Sequence, residues 1–248
     1  MPETGPLIGH RGVAARAPEN TLASLTLAAA LGLTWVEFDV RLSRDGHPVL
    51  FHDDRLGRTT DGRGRVADHD LAALRRLDAG KRFPPPYRGE RIPTLVEAIE
   101  LLVELGIGAN VEIKPDPERE TETAQAVMAT LARCWPETLP APIVSSFRPR
   151  ALAVASAASP ACHYALLVDA VPKDWHRRLA VLGATALHCN ARRLTGRQAA
   201  EIADQGVPLR AYTVNSARMA RRLFAWGVAA VFTDDPVPLA AAFGSRRD

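Results

Sequence analysis

The chain has 248 residues, of which 47% are hydrophobic and 24% charged, a balance typical of a globular protein. This length is sufficient for one large domain or two small ones with a substantial core. The formal net charge of +3 is too small to indicate a nucleic-acid partner, and no basic run alternates with aromatic residues.

Three features of the sequence bear on membranes and cellular location. Residues 1–9 lack the basic and apolar regions of a signal peptide. Residues 151–168 carry no charge, but they contain Pro160 and fall short of the roughly 20 apolar residues that a spanning helix needs. Cys134, Cys162 and Cys189 are widely spaced and follow no metal or disulfide pattern. We therefore expect a cytoplasmic protein with reduced thiols and no stable membrane insertion.

Short β-branched runs alternate with alanine- and leucine-rich stretches along the chain. The predicted strands are 7–10, 35–40, 109–114, 143–146, 164–168, 186–189, 209–214 and 230–233. The predicted helices are 21–31, 94–105, 119–133, 149–157, 173–182, 195–205, 216–226 and 236–243. Eight strands separated by helices in about 250 residues favour an α/β fold of the (β/α)₈ TIM-barrel type over an open doubly wound sheet. We predict one such domain over residues 1–248.

The regular alternation is interrupted after the second strand. Asp45-Gly46 lies between apolar runs and predicts a hairpin, so that residues 49–52 run back antiparallel to the second strand. This return brings His52 toward the carboxyl end of that strand. Residues 54–92 are rich in Arg, Gly, Asp and Pro. We interpret them as an insertion over the active face, too short to form an independent core.

Carboxylates recur at alternate positions of two predicted strands. Glu37 and Asp39 point to one face of the second strand, and Glu112 shares a face with Lys114 on a later strand. Paired carboxylates in an enclosed space are unfavourable unless a cation compensates them. Oxygen ligands favour a hard divalent metal, magnesium or calcium, with manganese as a third option. An ion network of these acids with Arg and Lys is the alternative interpretation.

Two histidines and two cations accompany the acids. His10 and His52 can exchange protons near neutral pH, which suits a displacement in which one oxygen attacks phosphorus and another leaves. Arg11 and Lys114 are suited to holding the charge of a phosphate. For single residues other readings exist, since His10 could be a core histidine bound by a backbone carbonyl and Lys114 could face solvent.

These groups come from separate segments that a barrel would bring together. Active sites of TIM barrels lie at the carboxyl ends of the strands, where His10, Asp39 and Lys114 fall and where the hairpin delivers His52. The sequence contains no Gly-x-Ser-x-Gly elbow and no Walker loop. Cleavage of a phosphodiester is therefore the predicted chemistry. His188, Asn190, Thr213 and Asn215 also lie near strand ends, where substrate contact and structural hydrogen bonding are equally open.

In its motifs the chain resembles the glycerophosphodiester phosphodiesterase family, most closely the short cytoplasmic bacterial members. The motifs occur in the family's order from residue 7 to about residue 236. They are His10-Arg11-Gly12, Ala17-Pro18-Glu19-Asn20-Thr21, Glu37-Phe38-Asp39, His52-Asp53, Arg58-Thr59-Thr60, Pro93-Thr94-Leu95, Glu112-Ile113-Lys114, Ser145-Ser146-Phe147, Tyr212-Thr213-Val214-Asn215 and Thr233-Asp234.

The resemblance implies a TIM barrel that hydrolyses glycerophosphodiesters, such as glycerophosphocholine or glycerophosphoethanolamine, to sn-glycerol 3-phosphate and an alcohol. It implies that His10 and His52 form the acid–base pair. It also implies a metal bound by Glu37, Asp39 and Glu112, and phosphate contacts from Arg11 and Lys114. Glu19 and Asn20 are expected to organise the first loop.

Two alternatives stay open from the sequence. One is a lysophospholipase D or another phosphodiesterase acting on lipid substrates, which would need an apolar channel, whereas residues 81–92 offer only Phe83, Tyr87 and prolines. The other is a noncatalytic barrel that binds phosphodiesters, although no histidine or carboxylate of the set is missing. The preferred alcohol, the metal and the oligomeric state are not determined by the sequence.

Overall fold

The computed structural model describes residues 1–243, which form nine strands and nine α-helices. The strands are β1 (Leu7–Gly9), β2 (Trp35–Leu42), β3 (Pro48–Leu50), β4 (Gly108–Ile113), β5 (Ile143–Ser146), β6 (His163–Val168), β7 (Ala186–Asn190), β8 (Leu209–Tyr212) and β9 (Ala230–Thr233). The helices are α1 (Leu22–Ala30), α2 (Leu71–Leu74), α3 (Leu95–Leu105), α4 (Glu120–Cys134), α5 (Pro149–Ala158), α6 (Trp175–Leu182), α7 (Gly196–Asp204), α8 (Ala217–Ala225) and α9 (Val237–Phe243).

Eight of the strands close into a parallel barrel. The sheet runs β1-β9-β8-β7-β6-β5-β4-β2, and β1 also pairs in parallel with β2 through Gly9 and Val36, which closes the ring. Helices follow each barrel strand in the connections, because parallel neighbours need a crossover that returns the chain to the opposite edge. The predicted (β/α)₈ TIM barrel is confirmed.

Local sequence signals define where the helices begin and end. Thr94 caps α3 through a capping box, since its hydroxyl accepts from the Glu97 backbone N–H while the Glu97 carboxylate accepts from the Thr94 backbone N–H. The helix ends at Gly106, whose φ of 66° is left-handed and therefore favours glycine. These two signals set the ends of the helix that connects the second and third barrel strands.

The core of the barrel has two parts. A large cluster packs the helices against the outside of the barrel, and a smaller one fills its interior with residues such as Ile8, Trp35 and Phe232. Gly108 on β4 allows the Trp35 ring to approach, since a Cβ at this position would lie 2.6 Å from the ring. This part of the interior is therefore a packed core, which leaves the carboxyl ends of the strands as the expected place for a site.

The hairpin predicted around Asp45-Gly46 is present. β3 runs antiparallel to β2, with Val40 opposite Leu50, and this pairing extends β2 two residues beyond its predicted end. Residues 54–92 contain two 3₁₀ turns and the short helix α2. Their apolar side chains pack into a small cluster with Val49 and Phe51, so the hairpin completes a core that the segment alone is too short to form.

One further difference from the prediction and one observation concern single segments. β8 ends at Tyr212, two residues before its predicted end, although the Val214 backbone N–H still donates to the Phe232 carbonyl of β9. Thr213, between them, lines a cavity. Within residues 1–243, every helix falls short of the length and apolar content needed to cross a membrane.

Candidate active site

A cavity of about 150 Å³ opens at the carboxyl ends of the barrel strands. Six of the seven predicted site residues line it, and the seventh, Asp39, pairs with two of those six. The lining residues are His10, Arg11, Glu37, His52, Asn110, Glu112, Lys114, Phe147, Leu167, Tyr212, Thr213 and Phe232. The convergence expected from the sequence is therefore observed.

Three buried carboxylates form the floor of the site. Glu37 and Asp39 lie two residues apart on β2, and Glu112 on the neighbouring β4 is the register partner of Asp39. Sheet pairing thus places all three on one face, and oxygen atoms from each lie within 4.8 Å of one another. Each side chain is at most one-tenth exposed.

The pKa values of the three acids on this floor shift in different directions. Burial raises the pKa of Glu37, and the nearby Asp39 charge contributes, so that the pKa reaches about 8. Burial and the charge of Asp39 also raise the pKa of Glu112. For Asp39 burial acts in the same direction, but the charges of Lys114 and Arg11 outweigh it and hold the pKa below its usual value.

The acids fit a hard metal ion better than a closed ion network. Lys114 Nζ lies 2.7 Å from Glu112 Oε1 and 3.2 Å from Asp39 Oδ1, so part of the predicted alternative network exists. However, the buried Glu37 Oε1 has no hydrogen-bond partner among the described residues. Since a buried carboxylate oxygen without a partner is unfavourable, this atom marks a place where a cation would be stabilising.

The imidazole of His10 is fixed by a residue from the other end of the chain. His10 follows β1, and its Nδ1 lies 2.6 Å from Asp234 Oδ1 just beyond β9. Its Nε2 lies 3.9 Å from Glu37 Oε2, which points this nitrogen at the cavity floor. Burial lowers the pKa of His10, but the hydrogen bond with Asp234 and the Glu37 charge raise it to a net value above normal.

The second imidazole has a similar support from its neighbour in sequence. His52 follows β3, and its Nδ1 lies 2.6 Å from Asp53 Oδ1, while Arg41 Nε donates to the His52 carbonyl. Burial lowers the pKa of His52, and the positive charges of Lys114 and Arg11 contribute in the same direction. The site therefore contains one imidazole that favours its proton and another that gives it up more readily.

Arg11 and Lys114 bring positive charge to the same cavity. Arg11 has a left-handed backbone, with φ of 51°, and its main-chain N–H donates to Glu37 Oε2 at 2.9 Å. Its guanidinium Nε lies 3.3 Å from Asp39 Oδ2. Lys114 is one-fifth exposed, so it does not project freely into solvent as the alternative reading of its sequence would require. Both cations can therefore meet an anion that enters the cavity.

Glu19 and Asn20 do organise the first loop, as expected, and they also support the site. Asn20 has φ of 57°, and its amide accepts from the Asp39 backbone N–H and donates to Asp39 Oδ2 at 2.9 Å. The Glu19 carboxylate accepts from Arg11 Nη1 at 2.8 Å and from both terminal nitrogens of Arg58. Arg58 in turn pairs with Asp53.

Sequence reasoning did not assign roles to Asp234, Asp53 or Arg58. The available signals were the acid directly after the last barrel strand and the acid directly after His52. For four residues the sequence does not decide between substrate contact and structural hydrogen bonding. Of these four, Thr213 lines the cavity. Asn215 is structural, since it donates to Asp234 Oδ2 and accepts from the Asp234 backbone N–H.

The remaining two of those four residues lie away from the cavity lining. His188 is fully buried in the barrel and neither ring nitrogen has a partner among the described residues. Asn190 donates to Asp169 Oδ1 at 2.9 Å. For Asn190, structural hydrogen bonding is thus the observed role.

Comparisons with known proteins agree with this geometry. Residues 10–237 match the model of the glycerophosphoryl diester phosphodiesterase family. A glycerophosphodiester phosphodiesterase of Caldanaerobacter subterraneus is 34% identical over 94% of this chain and 95% of its own length. A solved Oleispira antarctica phosphodiesterase, in complex with its product sn-glycerol 3-phosphate, is 42% identical with a TM-score of 0.94 over 97% of both chains. A putative glycerophosphoryl diester phosphodiesterase structure from Silicibacter pomeroyi is 25% identical, with a TM-score of 0.86 over 99% of this chain and 95% of its own.

Proposed function

The chain belongs to the glycerophosphoryl diester phosphodiesterase family, and we propose that it hydrolyses glycerophosphodiesters to sn-glycerol 3-phosphate and an alcohol. The observation that carries this proposal is the pair of imidazoles, each bound at Nδ1 by a carboxylate, that line one cavity with a carboxylate floor. A small-molecule diester is the substrate class, in line with the product bound to the Oleispira relative.

His10 and His52 are the proposed acid–base pair. Burial raises the pKa of Asp234, but its hydrogen bond with His10 acts in the opposite direction, and the net pKa lies below its usual value. Burial also opposes ionisation of Asp53, but the hydrogen bonds from Arg58 and His52 lower its pKa to about 2. Ionised carboxylates only accept hydrogen bonds, so each Nδ1 is the donor and each Nε2 exchanges the proton. One histidine removes a proton from the attacking hydroxyl while the other protonates the departing alkoxide.

Arg11 and Lys114 are the proposed phosphate contacts. The guanidinium of Arg11 offers a planar set of donors, and Lys114 adds a point charge across the cavity floor. Together they hold the phosphate between the two imidazoles and favour the charge that builds up on its oxygens.

We propose that Glu37, Asp39 and Glu112 bind a divalent metal, Mg²⁺ or Ca²⁺ with Mn²⁺ as the third option. Such an ion would polarise the phosphoryl oxygens and neutralise part of the negative charge. The raised pKa values of Glu37 and Glu112 agree with this assignment, because their charges repel Asp39 until a cation compensates them.

The attacking group is proposed to be the vicinal hydroxyl of the substrate glycerol, which gives a cyclic phosphate that water then opens. Among the described residues, the cavity lining offers two imidazoles but no serine or cysteine, and its only side-chain hydroxyls belong to Tyr212 and Thr213. Direct attack by water on phosphorus is the competing route. Phosphorus-31 NMR during early turnover distinguishes the two, since only the first route produces a cyclic species.

The direct test of function is product formation. Purified protein is incubated with glycerophosphocholine, glycerophosphoethanolamine and a lysophospholipid, each with Mg²⁺ and with or without chelator, and glycerol 3-phosphate or lysophosphatidate is measured. We expect turnover of the glycerophosphodiesters that is lost with chelator. Binding without turnover would instead support a noncatalytic barrel, and preference for the lysolipid would support a lipid phosphodiesterase.

We also propose that the protein acts in the cytoplasm, where free thiols persist. All three cysteines, Cys134, Cys162 and Cys189, are unpaired. Fractionation of cells that express the natural gene tests this location.

A further inference from the structure

We infer that, within the proposed function, the enzyme prefers diesters whose alcohol carries a negative charge over those whose alcohol carries only an ammonium group. The inference concerns the mouth of the cavity on one side of the barrel. There the loops and first helical turns after β5, β6 and β7, residues 147–150, 169–174 and 191–197, form a surface that we call the basic rim.

The basic rim concentrates positive charge. It contains six cations and two carboxylates, which gives +4 against +3 for the whole chain. The six cations are Arg148, Arg150, Lys173, Arg192, Arg193 and Arg197, all exposed. Because β5, β6 and β7 are neighbours in the barrel, their carboxyl-end loops are neighbours too, and the charges form one continuous surface.

The two carboxylates of the rim are already engaged. Asp169 pairs with Arg193 at 2.8 Å and accepts from Asn190, and Asp174 accepts from Arg178. In contrast, Lys173 and Arg192 form no ion pair with any described residue. A cationic alcohol group at this rim would therefore find no free carboxylate, whereas an anionic one would find free cations.

The rim is continuous with the cavity wall. Phe147 and Leu167 line the cavity and lie within two residues of the rim cation Arg148 and of Asp169. Tyr212 connects the wall to the β6 loop, since its hydroxyl donates to the Val168 carbonyl at 2.7 Å. An alcohol that leaves the cavity along this wall reaches the rim directly.

Aromatic side chains in the wall could in principle favour a quaternary ammonium by cation–π attraction. Phe147 and Tyr212 pack edge to face, with ring centroids 5.8 Å apart. However, Lys114 Nζ already lies 5.7 Å from the centre of the Phe147 ring. Because this residue places its own cation against the ring, a second cation there would be repelled, and the wall does not offset the charge of the rim.

The test compares two substrates that differ by one carboxylate, glycerophosphoserine and glycerophosphoethanolamine. At low ionic strength we expect kcat/KM to be about fivefold higher for the serine diester, the size expected from several unit charges about 10 Å away in water. In 0.5 M salt the ratio should approach one, because screening shortens the reach of exposed charges.

Matched double variants identify the source of the preference. Lys173→Glu with Arg192→Glu reverses two free cations of the rim. Arg133→Glu with Arg221→Glu makes the same change of net charge at exposed positions on α4 and α8, outside the rim. We expect the first variant to lose the preference for the serine diester and the second to keep it.

Three outcomes would overturn the inference: equal use of both diesters at low salt, a ratio that salt leaves unchanged, or equal effects of the two double variants. If none of glycerophosphoserine, glycerophosphoethanolamine and glycerophosphocholine were hydrolysed, the proposed function on which the inference rests would instead be overturned. The two failures are therefore distinguishable in one set of assays.

Discussion

Nδ1 of His10 lies 2.6 Å from Oδ1 of Asp234, a contact that joins residues 224 positions apart in the chain. The closure of the barrel produces it, because β1 pairs with β9 and the two residues follow these strands. Asn215 holds the second carboxylate oxygen of Asp234 at 2.8 Å, so the acceptor is itself oriented. The imidazole is thus fixed in rotation and tautomer by the last strand of the barrel.

Asp234→Asn should lower kcat on the order of 10²-fold with little change in KM, because an amide can present its NH₂ group to Nδ1 and favour the wrong tautomer. Asp235→Asn is the matched control, since Asp235 pairs with Arg16 instead of the histidine. Steady-state kinetics on glycerophosphoethanolamine check the prediction. Equal effects of the two substitutions would exclude a special role for Asp234.

His10→Ala and His52→Ala should each lower turnover by about 10²–10⁴-fold, because each removes one proton exchange of the reaction. The fold should survive, since neither side chain belongs to an apolar cluster of the structure. Circular dichroism verifies folding, and His47→Ala, at an exposed position in the β2–β3 hairpin, serves as the control. Near-normal turnover of His10→Ala would refute the assignment.

Arg58→Ala should reduce kcat/KM by about tenfold although Arg58 does not line the cavity. Arg58 binds both Glu19, which holds Arg11, and Asp53, which holds His52, so its loss loosens two groups of the site together. The stability cost should stay on the order of 1 kcal/mol, because Arg58 is nearly half exposed although its partners Glu19 and Asp53 are more buried. Kinetics combined with urea denaturation separate the two effects.

Arg75→Ala is the matched control for Arg58→Ala. Arg75 also forms a two-oxygen contact with a carboxylate, Glu97, but it lies away from the cavity. We expect a similar change in stability and unchanged kinetics. If both variants lost activity equally, the contacts of Arg58 with Glu19 and Asp53 would have no specific role in catalysis.

The parts of the site that follow from strand geometry could be predicted from the sequence. Residues two apart on a strand must share a face, so the sequence alone places Glu37 with Asp39 and Glu112 with Lys114. The hairpin at Asp45-Gly46 delivered His52 by the same local reasoning. The (β/α)₈ fold followed from the alternation of eight strands and helices.

Contacts between distant segments could not be predicted in this way. Glu19 and Arg58 are 39 residues apart, and their pairing depends on how the insertion folds back over the first loop. Many arginines in residues 54–92 could equally have filled that place, and no periodicity distinguishes among them. The small apolar cluster shared by the hairpin and the insertion could not be predicted for the same reason.

A divalent cation should stabilise the folded protein. The three acids of the floor repel one another, and Glu37 Oε1 lacks a partner among the described residues. At 100 times the dissociation constant, a ligand specific for the folded state adds about 2.7 kcal/mol to the free energy of unfolding. Thermal unfolding with Mg²⁺, Ca²⁺, Mn²⁺ or chelator measures this without any activity assay.

Glu37→Gln should weaken that metal-dependent shift, because it removes one charged ligand from the floor while keeping the side-chain shape. Asp169→Asn, an exposed acid on the basic rim, is the control and should leave the shift intact. A melting temperature that no divalent ion changes would rule out the metal site. A shift of equal size in both variants would place the ion elsewhere.

Arg210→Met should raise the free energy of unfolding by about 1–3 kcal/mol. Arg210 lies on β8 and is 2% exposed, and its Nε and Nη1 have no acceptor among the described residues. Burial lowers its pKa to about 10, which records the cost of holding this charge inside the barrel. Methionine fills a similar volume without a charge to desolvate.

Urea denaturation followed by circular dichroism tests this substitution against Arg133→Met, an exposed position at which the change should stay below about 0.5 kcal/mol. Catalysis should be unchanged, since Arg210 does not line the cavity. A loss of stability would mean that the guanidinium makes favourable contacts that outweigh its burial. The ring nitrogens of its register partner, the fully buried His188, also lack hydrogen-bond partners among the described residues. Favourable contacts of the guanidinium would therefore have to come from other residues.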